Sequence, residues 1–581
     1  MSADRRAVQE KQLLSPAGDK QQRLLSPRRR NDTRNVSQSR SEKNLQAAIC
    51  LLLVELCERF TFFGIVCNMI LFCTVKLGYR NYQAAIVNMC FVGTSMLTPV
   101  LVGWLAECLV GRIKLVYVCL FLHFLGTVLL PVVSFPFEDI YIDRRHILHT
   151  LTKKEQKIVF YFALLTASLG IGGIRAIVCP LSAYNLEDCG LKELLSFFNW
   201  FYWLVNLNSA VVFVSISYIQ QSVARNLGFL IPFVSVLMAM ITIHMVCGEM
   251  IYKPKTESSL LTTFGVIASA LKTCCVRYRC LSGGVTNWLD HAKENYGGRY
   301  SETQVESTKS LTRLFPLFAF QILYRTCIMQ IPSGYYLQTM NSNLNFSGFV
   351  LPIAAMNVIS IVPLLILVPI LECINSCLFS SKGSRHSPTI YIGQLSAALS
   401  VMVAGFSEMH RKRFPQVEQT LSKEVLLVSS MPCFHLAPQY ILLGVAEALV
   451  TPSCSLLSFR LVPERIRGIS MHFLTLFNGA GCFIGAFIVQ TVHTGTQGTW
   501  FPHLLHEGKL EGFFFFLASL MMANTLGMWT IAHRYNDLNQ EYTKEFRGSL
   551  PEEKPLQHEK AIKFYDSVLD RSPILSPMET T

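Results

Sequence analysis

Charge is scarce in this chain. Only 15% of its 581 residues are Asp, Glu, Lys or Arg, whereas 51% are apolar. This balance argues against a string of soluble domains, whose surfaces carry more charge. The apolar residues instead collect in runs of about 20, the length that crosses the hydrocarbon core of a bilayer. The sequence therefore predicts a polytopic membrane protein.

Other features are also missing. No short apolar segment with a cleavage site stands near the N-terminus, so the first apolar run is expected to stay in the mature protein. The formal charge of +13 is not gathered in a basic patch with interleaved aromatic residues, which argues against nucleic acid as a partner. The cysteine cluster at 274–280 lacks a second half with paired spacing, so no metal site is expected. No nucleophilic motif stands out, so we do not expect an enzyme.

Twelve apolar runs are present. They cover residues 47–75, 83–108, 114–135, 157–179, 194–219, 227–252, 313–339, 347–371, 389–406, 436–460, 467–492 and 511–533. Alternating strand patterns are absent from them, so helices are the predicted spanning elements. The longest internal loop divides the runs into six and six, which is typical of transporters whose two bundles face a central site. The predicted fold is an all-α membrane protein with twelve transmembrane helices in two six-helix bundles.

The predicted organisation has five parts. They are a disordered cytoplasmic tail (1–45), an N-terminal six-helix bundle (46–252), a cytoplasmic linker loop (253–311), a C-terminal six-helix bundle (312–535) and a second cytoplasmic tail (536–581). Both tails are too poor in apolar residues to build a core. The Arg- and Lys-rich first tail predicts a cytoplasmic N-terminus, and twelve spans return the C-terminus to the same side.

Three charges stand inside the first apolar run, in VELCERFTFFG at 54–64. Glu55 and Arg59 are four residues apart and share one helix face, while Glu58 lies on the adjoining stripe. Each charge costs about 3 kcal/mol at the bilayer centre, so the three must face the protein interior or an aqueous cavity. A purely structural ion pair would not need the second carboxylate. The extra acid indicates a group that takes up and releases a proton beside a fixed cation.

Two further charges lie alone in apolar runs. Arg175 is in the fourth run and Glu447 is in the tenth, one in each half of the chain. They could pair across a central cavity, or bind the carboxylate and the ammonium group of a zwitterion. A structural role for either residue is the alternative.

The residues at 55–64, ELCERFTFFG, resemble the ExxERFxYYG signature of the proton-coupled oligopeptide transporters, a branch of the major facilitator superfamily. Residues 99–114, 196–208, 288–316 and 366–372 resemble further motifs of this family in the same order. The resemblance covers nearly all of residues 47–535.

The resemblance implies a symporter in which a proton gradient drives peptide uptake by alternating access, with the proton as coupling ion and no other cofactor. It assigns Glu55, Glu58 and Arg59 to proton coupling. It assigns Arg59, Arg175, Asn206 and Glu447 to substrate binding. Arg313 and Glu372 match an ion pair that closes the inner ends of helices seven and eight.

The pocket walls depart from the family. Phe62 and Phe63 replace two tyrosines, Met96 replaces another, Arg325 and Leu474 replace tryptophans, and Ser360, one turn beyond Asn357, replaces an asparagine. Lost hydrogen-bonding groups predict weak binding or poor discrimination of peptides. Arg325 adds a charge that would favour an extra anionic group if it faces the cavity. The alternative is that Arg325 extends to the membrane interface or pairs structurally.

The leading hypothesis is a proton-coupled symporter of small peptides or amino-acid-like zwitterions. We expect a monomer in the lipid bilayer of the plasma membrane or an endolysosome, with both termini cytoplasmic. One alternative is a carrier for a different small anion, and another is a transporter-fold sensor or scaffold with little flux. The retained coupling residues favour transport, whereas the altered walls leave room for the alternatives.

Overall fold

Long helices dominate the computed structural model, which describes residues 27–108, 112–134, 152–186, 191–223, 225–246, 259–277, 288–296, 298–378, 386–421, 424–463 and 466–548. Each predicted apolar run coincides with one of them. The helices are α1 Pro27–Val66, α2 Asn81–Cys108, α3 Arg112–Ser134, α4 Lys153–Leu186, α5 Leu191–Tyr218, α6 Arg225–Val246, α7 Glu302–Met340, α8 Met356–Leu378, α9 His386–Arg411, α10 Ala437–Arg460, α11 Arg467–Gly495 and α12 Leu510–Gly548.

Eight of these helices are long and apolar enough to span a membrane within the described residues: α2, α3, α4, α7, α9, α10, α11 and α12. α1 is not among them because Glu55, Glu58 and Arg59 interrupt its apolar stretch. α7 is interrupted differently, by a π-helical turn at Ile331–Tyr335 in which the Tyr335 amide donates to the Gln330 carbonyl at 2.8 Å.

Helical structure extends into two segments that the sequence analysis predicted to be a tail and a loop. α1 begins at Pro27, inside the predicted tail 1–45. Proline suits a first helical position, and the Arg, Gln, Glu and Lys residues that follow are good helix formers. A linker helix occupies Ser259–Arg277 within the predicted loop, because Val266 and Ala270 pack against Leu289 in a small separate core.

The two halves repeat one packing pattern. In the first half α1 packs on α5 and α6, α2 packs on α4, and α3 packs on α4 and α6. In the second half α7 packs on α11 and α12, α8 packs on α10, and α9 packs on α10 and α12. Each of these contacts recurs six helices later, as expected for two related bundles. The contact of α1 with α4 is an exception, because no comparable contact joins α7 to α10 among the described residues. The two halves meet where α2 packs on α11 and where α5 packs on α8. The same shift of six helices relates these two interfaces to each other.

The end of the bundle opposite the chain termini, called the far end below, is closed by contacts between the halves. Asn81 at the start of α2 donates to the Pro502 and His503 carbonyls at 3.1 and 2.8 Å. The ring of Tyr82 stacks on His493 at the end of α11, with ring centroids 3.7 Å apart. At the other interface, the Ile353 amide donates to the side-chain oxygen of Gln221 at 3.0 Å.

Two short hairpins cover the far end of the second half. β1 (Asn345–Phe346) pairs with β2 (Phe349–Val350) between α7 and α8, and β3 (Gln416–Leu421) pairs with β4 (Glu424–Ser429) between α9 and α10. The Leu344 amide donates to the side chain of Gln419 at 2.9 Å and so ties the first hairpin to the second.

Glycines let α4 lie unusually close to its neighbours. A Cβ atom at Gly170 would overlap the backbone of His123 in α3, one at Gly172 would meet Thr98 in α2, and one at Gly173 would meet Cys119 in α3. Small residues allow this close backbone approach between membrane helices. The approach fixes the position of Arg175, which follows two residues later.

The Gly170→Ala variant is expected to lose stability. Overpacking costs about 1–3 kcal/mol, which outweighs the gain in helix propensity of about 1 kcal/mol. Gly495→Ala is the matched control, because nothing lies within 4 Å of the added methyl group. Thermal unfolding in detergent compares the two, and equal melting temperatures would contradict the close packing of α3 and α4.

Candidate functional site

α1 carries a charged cluster at the centre of the first bundle. The Arg59 guanidinium lies 3.8 Å from a carboxylate oxygen of Glu55 and 3.6 Å from one of Glu58. The side chains of Glu55 and Glu58 are 4% and 0% exposed, whereas that of Arg59 is 25% exposed. The acids are therefore held inside the bundle, and the base reaches toward solvent-accessible space.

Arg175 of α4 completes this cluster. Its Nε donates to Glu58 Oε1 at 2.9 Å, and its Nη2 lies 2.9 Å from the same oxygen. The guanidinium carbon also lies 4.3 Å from the ring centroid of Phe62, where the ring face attracts a cation. Glu58 is thus shared between two arginines, with Arg175 much the closer of them.

The cluster has unused hydrogen-bonding capacity. Glu58 Oε2 and Arg59 Nε are buried, and neither has a hydrogen-bond partner among the described residues. Buried polar atoms without partners are costly, so they mark a place where a proton, a water molecule or a ligand group would be stabilised.

Two asparagines of α5 are relevant to the site, and one of them contacts α1. Asn206, predicted to meet a substrate amino group, is half buried, and its carbonyl accepts from the Ser209 hydroxyl at 2.7 Å. Asn208 donates from Nδ2 to the Leu56 carbonyl at 2.9 Å. Asn208 therefore holds α5 against the helix that carries the acids.

Arg325 and Glu447 lie within electrostatic range of each other in the second bundle, although no direct ion pair joins them in the described part of the chain. The Arg325 guanidinium also interacts with the thiol of Cys482, and a Cβ atom added at Gly481 would lie 2.8 Å from the Arg325 Cβ. Both partner residues lie in α11. A Cβ added at Gly93 of α2 would lie 3.1 Å from Cys482 Cβ. The side chain of Arg325 thus points toward the junction of the two halves and away from lipid.

Two other predicted binding residues lie on α8. Asn357 is 3% exposed, and its Oδ1 lacks a partner among the described residues. The Ser360 hydroxyl donates to the Asn357 carbonyl at 2.7 Å, so it is occupied within its own helix. Asn357 is therefore the better placed of the two to accept a hydrogen bond from a ligand.

The predicted gate falls partly outside the described residues. Arg313 ends the first segment of α7 and lines an open pocket with Trp288 and Phe477. The Glu372 side chain lies outside the described residues. The ion pair between Arg313 and Glu372 stays a prediction.

Each of the two lone charges has an opposite charge in its own half. Arg175 contacts Glu58, and Glu447 interacts with Arg325. A direct ion pair between Arg175 and Glu447 is absent from the described residues. Their direct pairing across the cavity, one of the two options from the sequence, is not present in this conformation.

Sequence reasoning missed three residues near the site. Asn208, the last residue of the motif-like stretch 196–208, was assigned no role, and Cys482 carried no polar signal among the other cysteines of the spans. His123 of α3 is 1% exposed, its Nε2 lacks a partner among the described residues, and it lies within electrostatic range of Arg175. A histidine in an apolar run was the available signal for it.

Aromatic and apolar groups form the walls around the charges. Phe62 stacks on Phe91 with ring centroids 6.1 Å apart, and Phe63 meets Phe213 edge to face at 5.4 Å. Phe62 and Phe63, which stand where the family has tyrosines, therefore extend an aromatic cluster between α1, α2 and α5. These walls offer contact area and no hydroxyl groups.

A second charged cluster joins the start of α7 to Asp290 and Lys293, which precede it in the chain. Lys309 contacts Asp290 and Glu306 at 2.6 and 2.8 Å, and Lys293 contacts Asp290, Glu302 and Glu306 at 3.0, 3.1 and 2.7 Å. Burial raises the pKa of Asp290, but the Lys309 and Lys293 ammonium groups outweigh it and hold that pKa below its ordinary value. Burial lowers the pKa of Lys293, but Glu306, Asp290 and Glu302 outweigh it and raise that pKa.

The direction of these shifts sets the pH range of the second cluster. Because its pKa is lowered, Asp290 stabilises the fold at pH values above its ordinary pKa, and this stabilisation is lost as the pH falls through the lowered pKa. Because its pKa is raised, Lys293 stabilises the fold until the pH becomes strongly alkaline. Among the described residues, no group of three or more His, Cys, Asp or Glu side chains could hold a metal ion.

Comparisons with known proteins place these features in context. A profile described as the POT family matches residues 114–502. Solute carrier family 15 member 5 of Homo sapiens is 59% identical over 94% of this chain and 95% of its own. Protein NRT1/ PTR FAMILY 5.4 of Arabidopsis thaliana is 25% identical over 84% of this chain and 94% of its own.

A solved structure of an auto-inhibited POT family peptide transporter matches with a TM-score of 0.66 at 16% identity. The match covers 84% of this chain and 97% of the chain in the solved structure. This structural likeness confirms the predicted fold class, two six-helix bundles that span a membrane.

Proposed function

This chain belongs to the POT family of transporters, and from that membership we propose that it is a proton-coupled symporter of small peptides or amino-acid-like zwitterions that works by alternating access. It is an integral membrane protein with several spans. The proposal includes a location in the plasma membrane or an endolysosomal membrane, with both termini in the cytoplasm.

The position of Glu58 is the observation that carries the proposal. Its carboxylate neutralises Arg175, the cation proposed to bind a substrate carboxylate. A proton on Glu58 would weaken this contact and free Arg175 for the substrate, while Arg59 remains at the mouth of the cluster as a fixed charge. Proton uptake and carboxylate binding would then favour each other, which is the thermodynamic requirement for coupling.

The closed far end supports alternating access. The contacts of Asn81 and Gln221 join the two halves there, as does the stack of Tyr82 on His493. Opening a path from that side requires that these contacts separate while α2 and α11 tilt apart. The repeated packing of the halves allows such a rocking movement about the central charges.

The proposed function is tested in proteoliposomes that contain the purified full-length chain. We expect an inward acid gradient to increase uptake of at least one member of a panel of dipeptides, histidine and acidic amino acids several-fold. Dissipating the gradient with a protonophore should remove the increase. Saturable binding without flux for the same panel would support the sensor or scaffold in place of the symporter.

A further inference from the structure

The charged side chains inside the two bundles balance in number, and this balance constrains the substrate. Glu55, Glu58, Arg59 and Arg175 cluster in the first bundle, and Glu447 and Arg325 lie within electrostatic range of each other in the second. Counted with every group ionised, three negative charges accompany three positive charges. One coupling proton on a carboxylate would then leave a net charge of +1.

An unbalanced charge in a low-dielectric interior is unfavourable, so the bound substrate should restore neutrality. A neutral zwitterion would leave the positive charge uncompensated. A substrate with two anionic groups and one ammonium group has a net charge of −1 and would compensate it.

Arg325 is placed to meet the extra anionic group. Its Nε is buried and has no partner among the described residues, and its interaction with Glu447 is not a direct ion pair. The neighbouring Cys482 thiol donates to the Asn478 carbonyl at 3.6 Å, and its sulfur is a weak acceptor that would not hold the guanidinium against an anion. The planar guanidinium can bind a carboxylate through two parallel hydrogen bonds.

We propose that the substrate is a monoanion, a peptide or amino acid with one acidic side chain, and that Arg325 binds this acidic group while Arg175 binds the main carboxylate. The inference rests on the proposed function of the same cavity. It has a second consequence: one proton and one monoanion cross together, so each transport cycle moves no net charge.

Matched substrates test the inference. Ala-Glu and Ala-Gln have nearly the same shape and differ by one charge, as do glutamate and glutamine, and at about pH 6 both acidic side chains are ionised. We expect the purified protein to bind the acidic member of at least one pair about 10- to 100-fold more tightly, the range for one charge-assisted hydrogen bond. Equal affinities in both pairs, tighter binding of the neutral members, or no binding of any of the four would overturn the inference.

The Arg325→Gln variant tests the assigned residue. It should bring the affinity ratio close to one, whereas Arg413→Gln, at an exposed arginine of the far end, should leave the ratio unchanged. An unchanged ratio in Arg325→Gln would overturn the role of Arg325 and support a purely structural pairing with Glu447.

Flux measurements separate this inference from the proposed function. Uptake of the acidic substrate should not respond to a membrane potential imposed with potassium and valinomycin, and uptake driven by that potential would overturn the stoichiometry. Absence of acid-driven flux alongside strong charge discrimination in binding would refute the symporter and leave the monoanion site supported.

Discussion

Acid-stimulated uptake is expected to disappear in the Glu58→Gln variant. Glutamine keeps the shape of the side chain but cannot be ionised, so Arg175 would lose its charged partner at every pH. The carboxylate now receives charge-assisted contacts from Arg175 at 2.9 Å. In the proposed mechanism a protonated Glu58 frees Arg175, and glutamine imitates that state at every pH, so the several-fold increase with an inward acid gradient and the pH dependence of uptake should both vanish.

Glu511→Gln is the matched control for Glu58→Gln. Glu511 is also a carboxylate in an ion pair, with Lys412 at 2.5 Å, but it lies at the start of α12 and takes no part in the cluster of Glu55, Glu58, Arg59 and Arg175. Uptake over a range of pH in proteoliposomes, normalised to the amount of reconstituted protein, compares the variants. A Glu58→Gln protein that keeps the parental pH profile would show that coupling does not pass through this residue.

A large loss of stability is expected for Arg411→Met. The Arg411 side chain is 2% exposed and pairs with the fully buried Glu408 at 2.6 Å. Gln338 also donates to Glu408 at 3.1 Å, and Gln439 donates to Gln338 at 2.8 Å. Removing one partner of a buried ion pair costs about 3–5 kcal/mol, because the other charge is left without compensation.

This cost would lower the melting temperature in detergent by roughly 6–20 °C if the bundle responds like a domain of 150–250 residues. Arg413→Met is the control, because Arg413 is exposed two residues farther along. The double variant Glu408→Gln/Arg411→Met should recover part of the loss, since no buried charge remains. Equal melting temperatures for Arg411→Met and Arg413→Met would contradict a structural role for the buried pair.

Local geometry explains which parts of the site could be predicted. Glu55, Glu58 and Arg59 lie within one turn of a helix, so their spacing alone placed them together. The twelve spans could also be predicted from the sequence, because membrane thickness fixes the length of an apolar run. Arg175 and Glu447 stood out as lone charges in apolar runs, but neither their positions nor the family resemblance indicated that each would interact with an opposite charge in its own half.

Long-range packing explains what could not be predicted. The contact of Arg175 with Glu58 joins α4 to α1 and depends on how closely glycines let α4 approach α2 and α3. The linker helix was missed for a related reason. Its apolar residues are too few to span a membrane, and they are buried only when Leu289 packs against them. Composition along the chain carries neither piece of information.

The π-helical turn in α7 changes the rotational phase of that helix. A π turn holds one residue more than an α-helical turn, and one residue corresponds to about 100° around the axis. Below the turn Arg325 packs on α11, whereas above it Gln338 reaches Glu408 in α9. Loss of a single residue within Ile331–Tyr335 would restore a regular helix and swing Gln338 away from Glu408. The length of this short turn therefore sets which helices the two ends of α7 can contact.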